Sequence, residues 1–265
     1  MGLERAPVVA REEVASVLRA AGSVFAEEEA DLLIQAARTP AELTAMVDQR
    51  TAGVPIEHVL GWAWFCGMRI EVDPGVFVPR RRSEFLVGEA ATLAGREPVV
   101  VDLCCGSGAV GLAIAAALGG AELHAADIDP AAVRCAGRNV VAAGGRAYEG
   151  DLYDPLPGTL QGRVDILIAN VPYVPTGELG LLPAEARLHE PRVALDGGRD
   201  GLDVQRRVIA GAPSWLAPGG HLLVETSERQ APQTVQAVVD AGLQPRVATS
   251  DELEATVVIG SVRAV

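Results

Sequence analysis

Two hydrophobic rhythms divide this chain. In the first sixty residues the apolar positions recur every three or four. Val14, Val17, Leu18 and Ala21 do so in "REEVASVLRAAG", and Ala30, Leu33, Ile34 and Ala37 in "EEADLLIQAAR". That spacing places each set on one side of a helix. A third helix is predicted to start at "TPAE", where Thr39 caps, Pro40 suits the first turn and Glu42 completes a capping box. Gly53 supplies its stop. Residues 1–60 therefore read as a small helical bundle. Residues 61–79, mostly "WAWFCGMRIEVDPGVFVP", are rich in strand formers and broken at Gly67 and Pro74-Gly75, which predicts a β-hairpin linker. From about residue 80 the rhythm changes to short apolar runs separated by Ala-rich helical stretches. The runs are "PVVVDLCC", "ELHAADI", "RAYEGD", "VDILIAN", "GHLLVET", "QPRVAT" and "TVVIGSV". Continuous apolar strands alternating with helices predict a mainly parallel sheet covered on both faces, an α/β fold. Ligands in such folds bind beyond the carboxyl ends of the strands.

Composition narrows the picture. The 265 residues are 49% hydrophobic but only 4% aromatic, so the core is built from Ala, Val and Leu. The net charge is −13, and all 22 basic residues are Arg. An acidic chain repels a phosphate backbone, which weighs against general nucleic-acid binding. Cys66, Cys104, Cys105 and Cys135 have neither C-x-x-C spacing nor a His cluster beside them, so no metal site is expected. Reduced thiols fit a cytoplasmic protein. The first residues carry charges where a signal peptide needs an apolar run, and the longest apolar run, 109–121, is too short to span a bilayer. A cytoplasmic protein without a membrane partner is the expectation.

The candidate chemistry begins at "VVVDLCCGSGAVGLAIA", a strand, a glycine turn and a helix. Gly106, Gly108 and Gly111 satisfy G-x-G-x-x-G, a dinucleotide fingerprint that is weak alone. Asp102 lies inside the end of the strand, four residues before the first glycine. A carboxylate there would repel a pyrophosphate and would suit the ammonium group of S-adenosylmethionine. Asp127 ends the next strand, 19 residues beyond Gly108, where a carboxylate can accept from both ribose hydroxyls of either cofactor. Asp151 ends the third and could take the adenine amino group, with Leu152 and Tyr153 beside the ring. Each acid could instead cap a helix. Acids at three successive strand ends beside one glycine turn favour a binding site. The expected cofactor is S-adenosylmethionine, in contact with Asp102, Cys104, Gly106, Gly108, Asp127, Ile128, Asp151, Leu152 and Asn170.

The fourth run leaves the core as "IANVPY". A strand normally exits through Gly, Asp or Ser, whereas here it presents an amide, a carbonyl and an aromatic ring within four residues. Taken in order, "DLCCGSGAVGLAIA", "ADIDPAAV", "GDLYDPL", "ANVPYVP" and "HEPRVALDGGRDGLD", together with "GVPIEHVLGWAWFCGMRIEVDPGVFVPRRRSEFLV", resemble the protein-glutamine N5-methyltransferases that modify peptide chain release factors. The resemblance covers roughly residues 50–260. It implies a class I, Rossmann-like methyltransferase domain over residues 80–265, a hairpin linker at 61–79 and a substrate-recognition bundle at 1–60. It also implies an enzyme that uses S-adenosylmethionine and a protein substrate presenting a glutamine. Two departures stand out. The family's Asn-Pro-Pro-Tyr has Val171 in second place, and its "PRP-x-TE" reads "PRRRSE", with Arg81 and Arg82 in place of less charged residues.

The resemblance assigns the catalytic work to Asn170, Val171, Pro172 and Tyr173. A glutamine amide nitrogen is a poor nucleophile because its lone pair is delocalised into the carbonyl. Two acceptors aimed at its N–H groups would orient it and return density to nitrogen. Those acceptors would be the side-chain oxygen of Asn170 and the backbone carbonyl of Val171. Pro172 stiffens the loop, and Tyr173 offers a flat wall. The methyl donor leaves without needing an acid, so no catalytic His or Cys is called for. His189, Glu190 and Arg192 read as charges that hold a loop over the site, Glu225 as a further strand-end acid, and Cys104 and Cys105 as small packing residues. Two other functions share these motifs. A nucleic-acid adenine N6-methyltransferase would need a basic groove, and a non-catalytic S-adenosylmethionine-binding module would not need Asn170, Pro172 and Tyr173 intact.

Overall fold

The computed structural model describes residues 5–263, with side chains from residue 11 onward. Four helices open the chain: α1 (Arg5–Ala20), α2 (Ala26–Ala36), α3 (Pro40–Thr51) and the single turn α4 (Ile56–Leu60). They close around Ala15, Leu18, Ala26, Ala30 and Leu33. In α1 the buried side differs from the expected one: Ala15 and Leu18 point inward, while Val17 and Ala21 are exposed. Ala and Val occur on more than one side of this helix, so its packing on α2 and α3 chooses the buried face. The Thr39 hydroxyl accepts from the Glu42 N–H as expected, but the Glu42 carboxylate accepts from the N–H of Arg38 rather than Thr39. Gly53, at φ +91°, ends α3 as expected. The short α4 was not expected, because five residues carry no readable period.

The linker is the expected hairpin, β1 (Trp62–Phe65) against β2 (Met68–Glu71). Cys66 and Gly67 turn it with φ of +48° and +72°, the left-handed pair that tight hairpins need. Then follow α5 (Glu84–Leu93), β3 (Val99–Leu103), α6 (Ala109–Ala117), β4 (Glu122–Asp127), α7 (Pro130–Val141), β5 (Arg146–Glu149) and β6 (Val164–Ala169). The chain ends with α8 (Ala184–His189), α9 (Asp203–Gly211), β7 (Leu216–Thr226), α10 (Ala231–Asp240), β8 (Gln244–Ser250) and β9 (Ala255–Ser261).

All seven expected strands form one sheet in the order β5-β4-β3-β6-β7-β9-β8. The first five are parallel, and β9 runs antiparallel between β7 and β8. Alternate strand residues feed two cores. Val101, Leu103, Leu167 and Val224 meet α9 and α10 on one face, while Val100, Ala125, Ile168 and Leu223 meet α5, α6 and α7 on the other. From β3 the chain builds outward through β4 and β5, then returns to place β6 on the other side of β3. This reversal opens a crevice beyond the carboxyl ends of β3 and β6. Leu103 pairs with Ala169, so the two strands end level and set Asp102 and Asn170 close to the same crevice.

Candidate active site

Beyond β3, left-handed backbone at Cys104, Gly106 and Gly108 (φ +55°, +55° and +75°) coils the chain into α6. A Cβ on Gly108 would stand 3.0 Å from Val140 and 3.2 Å from Ala136, so glycine lets the turn lie against α7. A Cβ on Gly111 would stand 3.0 Å from the Asp102 carboxylate. Without it, the Gly111 N–H donates to Asp102 Oδ2 at 2.9 Å, while Oδ1 accepts no hydrogen bond among the described residues. Asp102 is 2% exposed, and burial raises its pKa to about 7. A buried carboxylate with one neutral donor is a place that favours a cation.

Asp127 closes the turn from the side. Its Oδ2 accepts from the Gly106 N–H and its Oδ1 from the Asp129 N–H, both at 2.9 Å. Burial raises its pKa as well. The capping of α7 falls to Asp129, whose carboxylate accepts from Ala131, so Asp127 is not a helix cap. Ile128 lies half exposed beside it. Asp151 is paired with Arg207, Oδ2 to Nη2 at 2.6 Å, and Leu152 is buried with φ +51°. Tyr153 corrects an expectation. Its ring stacks on Trp215 at 5.5 Å and its hydroxyl donates to the Val208 carbonyl, so it belongs to the core and not to the cleft. The left-handed Leu152 turns the chain away after Asp151.

At the end of β6, the Asn170 side-chain nitrogen donates to the buried Ser83 hydroxyl at 3.1 Å, and its Oδ1 accepts nothing among the described residues. The Val171 side chain is buried in the core beneath the loop, and its carbonyl accepts no hydrogen bond among the described residues. Tyr173 is fixed at both ends. Its carbonyl accepts from Gln230 Nε2 at 3.0 Å, and its hydroxyl accepts from Arg82. Behind this segment runs the "DGGRDG" loop. A Cβ on Gly197 would stand 2.6 Å from the Pro172 carbonyl, and one on Gly201 would overlap the Tyr173 carbonyl, so only glycine allows the two backbones this close. Of the three charges expected to hold that loop, Glu190 and Arg192 do so, whereas His189 Nε2 is buried with no hydrogen-bond partner among the described residues. The buried Glu190 carboxylate takes Arg80 at 2.6 Å and the Val78 N–H at 3.2 Å, and Arg192 pairs with Asp196. Glu225, at the end of β7, pairs with Arg82.

These parts line one continuous cleft of about 940 Å³. Its lining includes Asp102, Cys104, Gly106, Asp127, Ile128, Asp151 and Leu152 together with Asn170, Val171, Pro172 and Tyr173. Gly108 stands just outside, shaping the turn. The bundle contributes Val24, Phe25, Arg50 and Ile56 to the lining. Val24 and Phe25 are 83% and 63% exposed there, an unusual position for large apolar side chains. The donor set fits S-adenosylmethionine: an unneutralised buried carboxylate for its ammonium, two carboxylates for hydroxyl and amine groups, and a glycine turn free of side chains. Ser83, Arg207, Gln230 and Phe25 escaped the sequence reading. "PRRRSE" held the only local hint, the hydroxyl of Ser83.

A family model described as "Methyltransferase small domain" matches residues 67–198. The release factor glutamine methyltransferase of Geobacter sulfurreducens is 40% identical over 197 residues, 72% of this chain and 68% of the relative. That of Deinococcus radiodurans is 37% identical over 205 residues, 76% of this chain and 72% of the relative. The ribosomal protein uL3 glutamine methyltransferase of Bordetella pertussis is 36% identical, over 68% of this chain and 62% of the relative. Among solved structures, a Pyrococcus furiosus methyltransferase superposes with a TM-score of 0.59 at 15% identity, covering 82% of this chain and all of that one. It supports the Rossmann-like methyltransferase fold. No described helix is long and apolar enough to cross a membrane.

Proposed function

The chain belongs to the release factor glutamine methyltransferase family, and we propose that its acceptor is a glutamine amide nitrogen of a peptide chain release factor. It is an S-adenosylmethionine-dependent enzyme, and its methyl acceptor is a protein glutamine. The observation that carries the assignment of roles is the pair of acceptors at the end of β6. Ser83 occupies the nitrogen of Asn170, which leaves Oδ1 for an N–H of the substrate. The Val171 carbonyl, one residue on, is the second acceptor with no hydrogen bond among the described residues.

S-adenosylmethionine supplies a methyl group on a positively charged sulfur, already primed for displacement. The residues of the chain supply placement. Asp102 holds the ammonium end, Asp127 the ribose hydroxyls and Asp151 the adenine amine. Asn170 and Val171 accept from the two N–H groups of the glutamine, turning its nitrogen lone pair toward the methyl group. Tyr173 walls the planar amide. The nitrogen forms its bond to carbon as the carbon–sulfur bond breaks, and the surplus proton on nitrogen passes to water. Such a reaction rests on orientation more than on acid–base chemistry.

Residues 1–60 act as the recognition element, with Val24 and Phe25 meeting the apolar part of the folded acceptor. The test is incubation with labelled S-adenosylmethionine and an unmethylated release factor, followed by peptide mass spectrometry. One methyl group on a glutamine is expected. Label on nucleic acid, or on no macromolecule, would overturn the assignment.

A further inference from the structure

Arg82 fills the variable position of the family's "PRP-x-TE" pattern, and three contacts immobilise it. Its Nε donates to Glu225 Oε1 at 3.1 Å. Its Nη2 donates to the Tyr173 hydroxyl. Its guanidinium lies over the Tyr173 ring, 5.5 Å from the centroid. The anchor is unusual. Glu225 is only 2% exposed, and its Oε2 is buried with no hydrogen-bond partner among the described residues. Burying a carboxylate is costly unless a charge answers it, and among the described residues Arg82 is the one cation bonded to it. The arginine head is thereby held at one spot although its side chain is 43% exposed.

That spot is the rim of the acceptor site. Ala169 pairs with Val224 across β6 and β7, so Asn170 and Glu225 are the next residues beyond the paired ends. Arg82 precedes Ser83, the residue that orients the Asn170 amide. Both Arg82 and Tyr173 line the cleft. An unsupported Tyr173 ring could rotate about its side-chain bonds. Bonded through its hydroxyl to a guanidinium that is itself held by a buried acid, it becomes a fixed wall.

We propose that Arg82, anchored on Glu225, is a positioning residue that locks the Tyr173 ring against the acceptor amide. The proposal rests on the glutamine-acceptor reading for its kinetic consequence but not for its geometry. Two measurements separate the two. With an unmethylated release factor as acceptor, Arg82→Ala should lower kcat about tenfold or more, the scale for losing an oriented contact, while the Kd for S-adenosylmethionine stays unchanged. Tyr173→Phe should lower it similarly, and the double variant should be no slower than the slower single one. Glu225→Gln, a milder change than removing the side chain, should fall between wild type and Arg82→Ala.

The chain has three tyrosines, so 3-fluorotyrosine labelling gives three ¹⁹F resonances, with Tyr173 assigned by its loss in Tyr173→Phe. Arg82→Ala and Glu225→Gln should shift the Tyr173 resonance and leave the other two in place. An unmoved resonance, or kinetic losses that multiply in the double variant, would overturn the lock. A moved resonance in a protein that methylates no glutamine would leave the lock standing and sink the acceptor assignment instead.

Discussion

The side-chain nitrogen of Asn170 donates to the hydroxyl of Ser83 at 3.1 Å, and that bond decides which end of the amide faces the cleft. An amide has a donor end and an acceptor end of nearly the same size, so shape alone would not choose. If the freed oxygen acts mainly in the transition state, Asn170→Ala should reduce kcat by a factor on the order of 10²–10³ without altering the Kd for S-adenosylmethionine. Ser83→Ala should lose less, because the amide can still sample the correct orientation. Equal cofactor affinity and equal turnover in Asn170→Ala and wild type would remove Asn170 from the mechanism.

Val171 is expected to tolerate the change to proline. Its N–H makes no hydrogen bond among the described residues, and the proposed acceptor is its carbonyl, which proline keeps. Its buried side chain is replaced by one of similar bulk. Val171→Pro should retain turnover within a few-fold of wild type, read by methyl transfer to a release factor. An inactive but folded Val171→Pro would show that the carbonyl is not the second acceptor.

Asp102 should make cofactor binding pH-dependent. Burial raises its pKa to about 7 from an ordinary 3.8. A raised carboxylate pKa means the folded protein holds the proton more tightly than the unfolded chain. That contribution to stability is therefore full below about pH 4 and is lost as pH rises through about 7. An ammonium group beside Asp102 favours the ionised form, so binding below pH 7 must expel the proton. Calorimetry should find S-adenosylmethionine bound roughly tenfold more weakly at about pH 6 than at about pH 8, with proton release at the lower pH. In Asp102→Asn the affinity should be lower and flat across that range.

Asp127→Ala should weaken S-adenosylmethionine binding by about 1–3 kcal/mol, the range for losing hydrogen bonds to a charged acceptor. The same substitution frees the Gly106 N–H that Asp127 now holds, so the loss should lie toward the upper end. Isothermal titration gives the number, and a parallel titration with NAD should show no binding.

Phe25 should matter to the protein acceptor and not to the cofactor. It is 63% exposed at the mouth of the cleft, on the turn before α2. If the acceptor covers it, Phe25→Ala should raise the KM for a release factor about tenfold, the worth of a largely buried aromatic side chain. The Kd for S-adenosylmethionine should not move. An unchanged KM would place recognition elsewhere on the bundle.

The sequence by itself determined the parts whose signal is local. The glycine turn, the three strand-end acids, the Cys66-Gly67 hairpin and the Thr39 cap were each legible because neighbouring residues set the backbone there. The central strands β3, β4, β6 and β7 were legible because parallel strands buried on both faces are apolar almost throughout, while the exposed edge strands β5 and β8 were marked only by their place in the alternation with helices. The tertiary structure alone decided what faces what. Ser83 meets Asn170 across 87 residues, Arg82 meets Glu225 across 143, and Arg80 meets Glu190 across 110. No periodicity carries such pairings, since they depend on how the strand order folds back at β3 and β6. Tyr153 failed for the same reason: its position beside Leu152 suggested the cleft, and one left-handed residue sent its ring into the core. Helix α1 showed the converse, since a helix apolar on several sides is oriented by its partners and not by its own pattern.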